Sequence, residues 1–360
     1  MQEKSVKVLV VATTTLGFNG ITNVILNYYE HIDRHKVHFD VVLTRGAMDW
    51  VVNKIKSYGG DIYEMPCRDK KPLTYIRKLK KLILDNNYSV VHVHGNSGTM
   101  AIDIYAAKIA KTKVRIAHSH NTTGNYKIVH KLLKPLLNSN RTHALACSDL
   151  AGKWAFNNNF EVIKNGIDTT RFIYNQEIRD RYRKNLDLEN CFVIGHIGHM
   201  SYQKNHEFLI DIFFRVYKNN KNARLLLIGD GKNREMIESQ INDLSLSEAV
   251  IMLGKRDDVS SLLQAMDVFL LPSRHEGLGI VNIEAQATGL KCVVADTIPQ
   301  EAKVSENIHF LSLNSPIEDW TDLILSFEEG YVRKNSSQLI IDNGYDIRQV
   351  VRRLESIYSH

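Results

Sequence analysis

The chain has 360 residues, a formal net charge of +6, 44% hydrophobic and 24% charged side chains. That length exceeds one ordinary domain, and the composition is that of a globular protein able to build two cores. No apolar run approaches the roughly 20 residues of a membrane-spanning helix, and the charge is too mild to argue for a nucleic-acid partner. The cysteines Cys67, Cys147, Cys191 and Cys292 are scattered, without a CxxC pair. This suits a reducing compartment and excludes a disulfide framework or a cysteine zinc site. The opening MQEKSVKVLVVA lacks the layout of a secretory signal, so a cytoplasmic chain is expected.

In chain order, strands are expected at Val6–Ala12, His38–Leu43, Asp61–Met65, Val90–His94, Val114–His118 and His143–Cys147. Helical patterns at Ile21–His31, Leu73–Asp85 and Thr99–Ala110 alternate with them. Such alternation implies parallel βαβ units with right-handed crossovers. The strands are nearly all apolar, as when helices cover both faces of a sheet. Residues 164–185 break the pattern: they are polar, contain Asn165-Gly166 and end in RDRYRKN, and read as a linker. The alternation restarts at Cys191–Ile197 and continues through Arg224–Ile228, Val250–Leu253, Val268–Leu271 and Cys292–Ala295. A last helix, Asp346–Tyr358, carries Ile347, Val350, Val351, Leu354 and Ile357 at helical spacing.

The expected architecture is α/β, with two facing Rossmann-like domains and a cleft between them. The first spans 1–168 and the second 169–342, and the helix within 343–360 packs back on the first. Ligands of open α/β sheets bind at the carboxyl ends of the strands, so the loops there hold the candidate chemistry.

The most informative loop is LLPSRHEGLGIVNIEAQATG, residues 270–289. A strand runs into a glycine-containing loop and then a helix from Ile280 to Thr288. Backbone N–H groups of Gly277, Leu278 and Gly279 at a helix N-terminus form a ready phosphate site. Glu276 suits sugar hydroxyls, and Glu284, one turn into the helix, suits a ribose. The plainer alternative is a loop glutamate and a helix-surface glutamate. A second loop, GHIGHMSYQKN at 195–205, has Gly195 and Gly198 for a tight turn. Its Lys204 is badly placed for a helix dipole but well placed for a diphosphate. A third, TTTLGFNG at 13–20, is a strand-to-helix turn without GxGxxG spacing, which counts against a dinucleotide enzyme; no P-loop exists either. His92 and His94, then His118 and His120, form H-x-H pairs near strand ends. No carboxylate or cysteine lies nearby in sequence to complete a metal site, so none is expected.

Together these motifs resemble the retaining glycosyltransferases of the GT-B fold, specifically family 4, over nearly the whole chain. EGLGIVNIE matches that family's pair of glutamates, Glu276 and Glu284. GHMSYQKN resembles its G-R-x4-K-[NG] diphosphate loop, with Lys204 as the lysine and Gly198 as the glycine. FNGITNVILN resembles its N-terminal glycine loop, with Gly20 as the second glycine, and VIKNGID its interdomain segment. AHSHN matches the strand end that carries a cleft histidine, in a register favouring His120. One departure stands out: His199 replaces the usual arginine and lacks a guanidinium fork, leaving the diphosphate to Lys204 or Arg274. The resemblance implies His120, Lys204 and Glu276 as catalytic residues. Gly20, Gly198, His199, Arg274, Gly277, Leu278, Gly279 and Glu284 would join Lys204 and Glu276 in binding the donor.

It further implies transfer from a nucleotide-sugar donor, in particular a UDP-sugar, with retained configuration. No cofactor and no metal are expected, since none of these strand-end loops carries a DxD. Acceptors of this type are glycans or polyprenyl-diphosphate-linked sugars for surface polysaccharide. Residues 104–148 contain no acid yet carry eight Lys or Arg, and KIVHKLLKPLL at 127–137 is cationic and amphipathic. A peripheral position on the anionic inner face of the cell membrane is therefore expected, with Lys127, Lys131 and Lys134 facing lipid. An epimerase or phosphorylase of the same architecture, or a non-catalytic nucleotide- or glycan-binding module, are the alternatives.

Overall fold

The computed structural model describes residues 5–121 and 127–359. The chain divides into two compact units, residues 1–167 with 344–360, and residues 168–343. The expected spans therefore include residues 1–4, 122–126 and 360, which lie outside the described residues.

The first unit has seven strands: β1 (Val6–Ala12), β2 (Val37–Leu43), β3 (Ile62–Glu64), β4 (Val90–Gly95), β5 (Val114–Ser119), β6 (His143–Ala146) and β7 (Glu161–Val162). They lie in the order β3-β2-β1-β4-β5-β6-β7, every neighbouring pair parallel. The second unit has β8 (Phe192–Ile197), β9 (Ala223–Ile228), β10 (Val250–Gly254), β11 (Val268–Leu271), β12 (Lys291–Ala295) and β13 (Ile308–Leu311). Their order is β10-β9-β8-β11-β12-β13, again parallel throughout. Strand order reverses direction between β1 and β4 and between β8 and β11. In open α/β sheets these switch points open a crevice at the strand ends.

Cores form on the sheet faces. Alternate residues of β1 feed two of them: Val8 and Val10 pack under the helices Gly20–His31 and Ile347–Tyr358, whereas Leu9 and Val11 pack against Leu79, Ile104 and Ala107. The last helix is thus part of the first unit. Its Ile347, Val350, Val351, Leu354 and Ile357 are buried there, and its end is tied down where Arg353 donates to both Glu161 oxygens at 2.6 and 2.8 Å. In the second unit Ile194, Leu225, Leu227, Phe213 and Trp320 share one core.

Two expectations are corrected. Residues 176–185, read as part of a linker, form a helix of the second unit, Gln176–Asn185. Ion pairs seat it where hydrophobic burial would otherwise do so: Arg179 and Arg183 reach Asp267 at 2.5 and 3.1 Å. They also donate to the carbonyls of Gln264, Ala265 and Met266. Within the helix Lys127–Asn140, Lys134 does not face outward with Lys127 and Lys131. Its Nζ donates to the carbonyls of Lys153 and Trp154 at 3.3 and 2.9 Å, in the last turn of the helix Asp149–Ala155. A lysine there compensates the negative end of the helix dipole.

Candidate active site

The β8 and β11 loops flank the switch point of the second unit and meet at one ion pair. Lys204 Nζ lies 2.6 Å from Glu276 Oε1, with only 15% and 7% of the two side chains exposed. Ser273 Oγ donates to the same carboxylate oxygen at 2.8 Å, and Gln203 Nε2 approaches Oε2 at 3.4 Å. Thr297 in turn donates to the Ser273 carbonyl at 2.6 Å. Local backbone geometry sets up this meeting. Lys204 ends a single 3-10 turn at Tyr202–Lys204, and Asn205 follows in the left-handed region with φ 58°. Asn205 Nδ2 donates to the Pro272 carbonyl at 3.1 Å, joining the two loops.

Close backbone approach explains one glycine here. Gly229, at the end of β9, has φ +133°, and a Cβ there would stand 2.0 Å from the Gly198 carbonyl oxygen. Only a residue without a side chain lets the β9 loop press against the β8 loop. Exposed His199 lies beside it, with its ring close to Gly231.

Gly279 has φ +68° and precedes the helix Ile280–Ala287, whose first turn has no side-chain cap. The uncapped N–H groups and the positive end of the helix dipole are available to an anion. Glu284 sits deeper in the same helix. Burial pushes its carboxyl up to about 7, with Arg171 pulling the other way. Arg274 lies apart from the Lys204–Glu276 pair. It stacks over Tyr202 at 4.0 Å and donates to the Tyr202 carbonyl at 2.8 Å, with Glu207 at 3.4 Å.

In the first unit the switch point lies between β1 and β4. Gly20 opens the helix Gly20–His31, and a Cβ at this position would meet nothing within 4 Å. Asn19 caps that helix by accepting from the Thr22 amide at 3.1 Å. His120 follows β5 directly, and its Nε2 pairs with His94 Nδ1 at 2.9 Å. Burial draws its pKa down to about 4, so it is neutral near pH 7, while Asn165 pulls the other way. One nitrogen from each of His92, His94 and His118 lies within 4.8 Å of the others. Those rings already engage one another and the chain, His92 with His118 at 3.2 Å and with Tyr358 at 2.7 Å.

Sequence reasoning missed Ser273, which holds Glu276, and the His94–His120 pair. Ser273 was legible only as one more residue of a glycine-containing loop. The histidine pair depends on the β4–β5 register, which sets His94 beside His118.

Residues 18–171 match the family described as Glycosyltransferase Family 4, and residues 178–347 that described as Glycosyl transferases group 1. The chain is 31% identical to EpsF of Bacillus subtilis (strain 168), named as a glycosyltransferase, over 94% of this chain and 93% of that one. It is 24% identical, over the same shares, to the UDP-Gal:alpha-D-GlcNAc-diphosphoundecaprenol alpha-1,3-galactosyltransferase of Escherichia coli. Among solved structures, Anabaena HepE in complex with UDP and glucose superposes with a TM-score of 0.81 at 18% identity. That match covers 98% of this chain and 99% of the other. WaaG, a glycosyltransferase of lipopolysaccharide biosynthesis, superposes with a TM-score of 0.72 at 14% identity over 98% and 99%. Motifs, paired parallel sheets and these matches agree that the chain belongs to the family 4 glycosyltransferases and has the GT-B fold.

Proposed function

We propose that the enzyme transfers a hexose from a UDP-sugar to a glycan or lipid-linked acceptor in surface polysaccharide synthesis, with retention of configuration. The observation that carries this is the buried Lys204–Glu276 pair beside the uncapped helix N-terminus at Gly279. In support, the Escherichia coli relative is named for a UDP-galactose donor and a diphosphoundecaprenol-linked acceptor, and HepE is described with UDP and with UDP-glucose.

In the proposed reaction the bond between the sugar C1 and the diphosphate oxygen breaks, and its electron pair stays with the diphosphate. The acceptor oxygen bonds C1 on the face the diphosphate leaves, and the acceptor proton passes to the departing diphosphate. Lys204, the amides of Leu278 and Gly279 and the helix dipole stabilise the growing negative charge. Glu276 accepts hydrogen bonds from sugar hydroxyls, Glu284 from the ribose, and His120 contacts the sugar. Gly20, Gly198 and Gly277 allow close backbone approach, and exposed His199 lies at the diphosphate loop. With charge stabilised in this way, transfer should proceed unchanged in excess EDTA.

The proposed acceptor side includes a membrane surface. Among the described residues no helix is long and apolar enough to cross a membrane. On the helix Lys127–Asn140, however, Ile128 and Leu132 are 77% and 73% exposed, next to exposed Val129, Leu136, Lys127 and Lys131. Such a face fits anionic lipid.

A thermal-shift screen of UDP-, GDP- and ADP-sugars tests the donor assignment, because a ligand that binds only the folded state raises the melting temperature. Stabilisation by UDP-sugars alone is expected. Stabilisation only by GDP- or ADP-sugars would reassign the nucleotide.

A further inference from the structure

Two amide side chains lie one turn apart on the helix Ile280–Ala287, both fully buried. Gln286 is saturated. Its Nε2 donates to the carbonyls of Asn282 and Ala302 at 3.0 and 2.8 Å. Its Oε1 accepts from the Ser305 hydroxyl and from the backbone amides of Val304 and Ser305. Asn282 is the opposite case: among the described residues neither its Nδ2 nor its Oδ1 has a hydrogen-bond partner. Its backbone N–H is satisfied by the Gly279 carbonyl at 2.8 Å, so only the side chain is unmet. A buried amide without partners destabilises the protein, and an apolar side chain of similar size would avoid that penalty.

The unmet amide borders the Lys204–Glu276 site. A Cβ at Gly279 would stand 2.7 Å from Asn282 Nδ2 and 3.6 Å from Glu276 Cγ. The amide and the Glu276 side chain therefore converge on the one position of this turn that lacks a side chain. Gly279 is itself only half-buried, so the amide lies directly beneath the surface of the loop. Chemistry limits what can meet both of its atoms. A phosphate oxygen only accepts; it would bond Nδ2 and bring its negative charge against the Oδ1 lone pairs. Neighbouring hydroxyls of a sugar ring satisfy the pair: one oxygen accepts from Nδ2, and the other hydroxyl donates to Oδ1.

We infer that Asn282 binds the donor sugar, its amide engaging two neighbouring hydroxyls of the transferred hexose beside Glu276, an assignment that rests on the reading that Glu276 faces the sugar. The contact forms as the incoming sugar displaces the loop 276–279, where glycines at 277 and 279 ease a backbone change. Asn282 thereby lowers the stability of the empty enzyme and serves recognition of the sugar.

Asn282→Leu separates recognition from stability. Calorimetry follows UDP and whichever of UDP-glucose, UDP-galactose or their N-acetyl forms raises the melting temperature most. N282L is expected to bind UDP within about twofold of wild type and the UDP-sugar about tenfold more weakly, the scale of two lost hydrogen bonds. Asn282→Ala, which adds no bulk, is expected to show the same split. UDP affinity is the internal control, because a variant whose site had collapsed would lose UDP too. Wild-type affinity for the UDP-sugar in both variants would overturn the inference. So would an equal loss of UDP and UDP-sugar, which moves the amide to the diphosphate or to the fold. Without ligand, N282L is expected to melt no lower than wild type; a clearly lower melting temperature would show the amide paired within the protein and would overturn it as well. Glu276→Ala separates the inference from the reading beneath: full UDP-sugar affinity in E276A removes the sugar from this loop altogether. A weakened E276A beside unaffected N282L and N282A removes only Asn282. If none of the four UDP-sugars binds wild type, both fall.

Discussion

Lys204 and Glu276, 72 residues apart in the chain, are brought to 2.6 Å by the adjacent ends of β8 and β11. The pair gives a cation and an acceptor side by side, one suited to phosphate oxygens and the other to sugar hydroxyls. Ser273 keeps the carboxylate in place from below, so the two functions are held by one short network.

The two glutamates should separate in a calorimeter. Glu284→Ala is expected to weaken UDP and the UDP-sugar alike, because the ribose is common to both. Glu276→Ala should leave UDP binding near wild type and weaken the UDP-sugar by about tenfold, the scale of a lost hydrogen bond to a charged group. The reverse pattern would exchange the two roles.

Glu284 also predicts a pH dependence. Its carboxyl is raised from 4.5 to about 7, so its contribution to stability is full below 4.5 and is lost as pH rises through about 7. Ribose hydroxyls donate best to the ionised form, so UDP affinity should rise between pH 6 and 8. Glu284→Gln should flatten both trends once the titration of the UDP phosphate, common to both proteins, is subtracted. Parallel curves for wild type and E284Q would rule out Glu284 as their source.

The helix Gln176–Asn185 depends on Asp267, which pairs with Arg179 and Arg183 and also accepts from the Val193 amide at 2.8 Å. Asp267→Ala leaves two shielded guanidiniums without their anion. Urea denaturation should show a loss of about 3 kcal/mol; a change below about 0.5 kcal/mol would mean the carbonyl contacts alone seat the helix.

The membrane surface predicts binding to anionic vesicles that weakens as salt rises, since each basic side chain near such a surface contributes about 1 kcal/mol. Changing Lys127 and Lys131 to Glu should abolish co-sedimentation. Lys134→Glu should act differently, lowering stability through the carbonyls it caps. Wild type that ignores anionic vesicles at low salt would favour a soluble acceptor.

Much of the fold was legible because buried parallel strands announce themselves as apolar runs. Val6–Ala12 and Val268–Leu271 have the expected bounds. β13, Ile308–Leu311, was not legible: three of its four residues are half-exposed and a histidine interrupts it. The helix at 176–185 escaped because arginines and a distant aspartate hold it, where periodicity reports only apolar faces. The same limit applies to the site. Glu276, Glu284 and Lys204 could be singled out from loop and helix position, but which group touches Lys204 is a fact of strand order. The direction of Lys134 is likewise set by a neighbouring helix end.

The most direct test is the rate of UDP release from the UDP-sugar by Lys204→Ala. If Lys204 stabilises the departing diphosphate, losing it costs about 3 kcal/mol in the transition state, roughly a 100-fold fall in kcat/KM. The melting temperature should fall somewhat as well, because Glu276, 7% exposed, loses its cation, so the rates are compared at a temperature where both proteins remain folded. A kcat/KM for K204A within about twofold of wild type would contradict the assignment of this site.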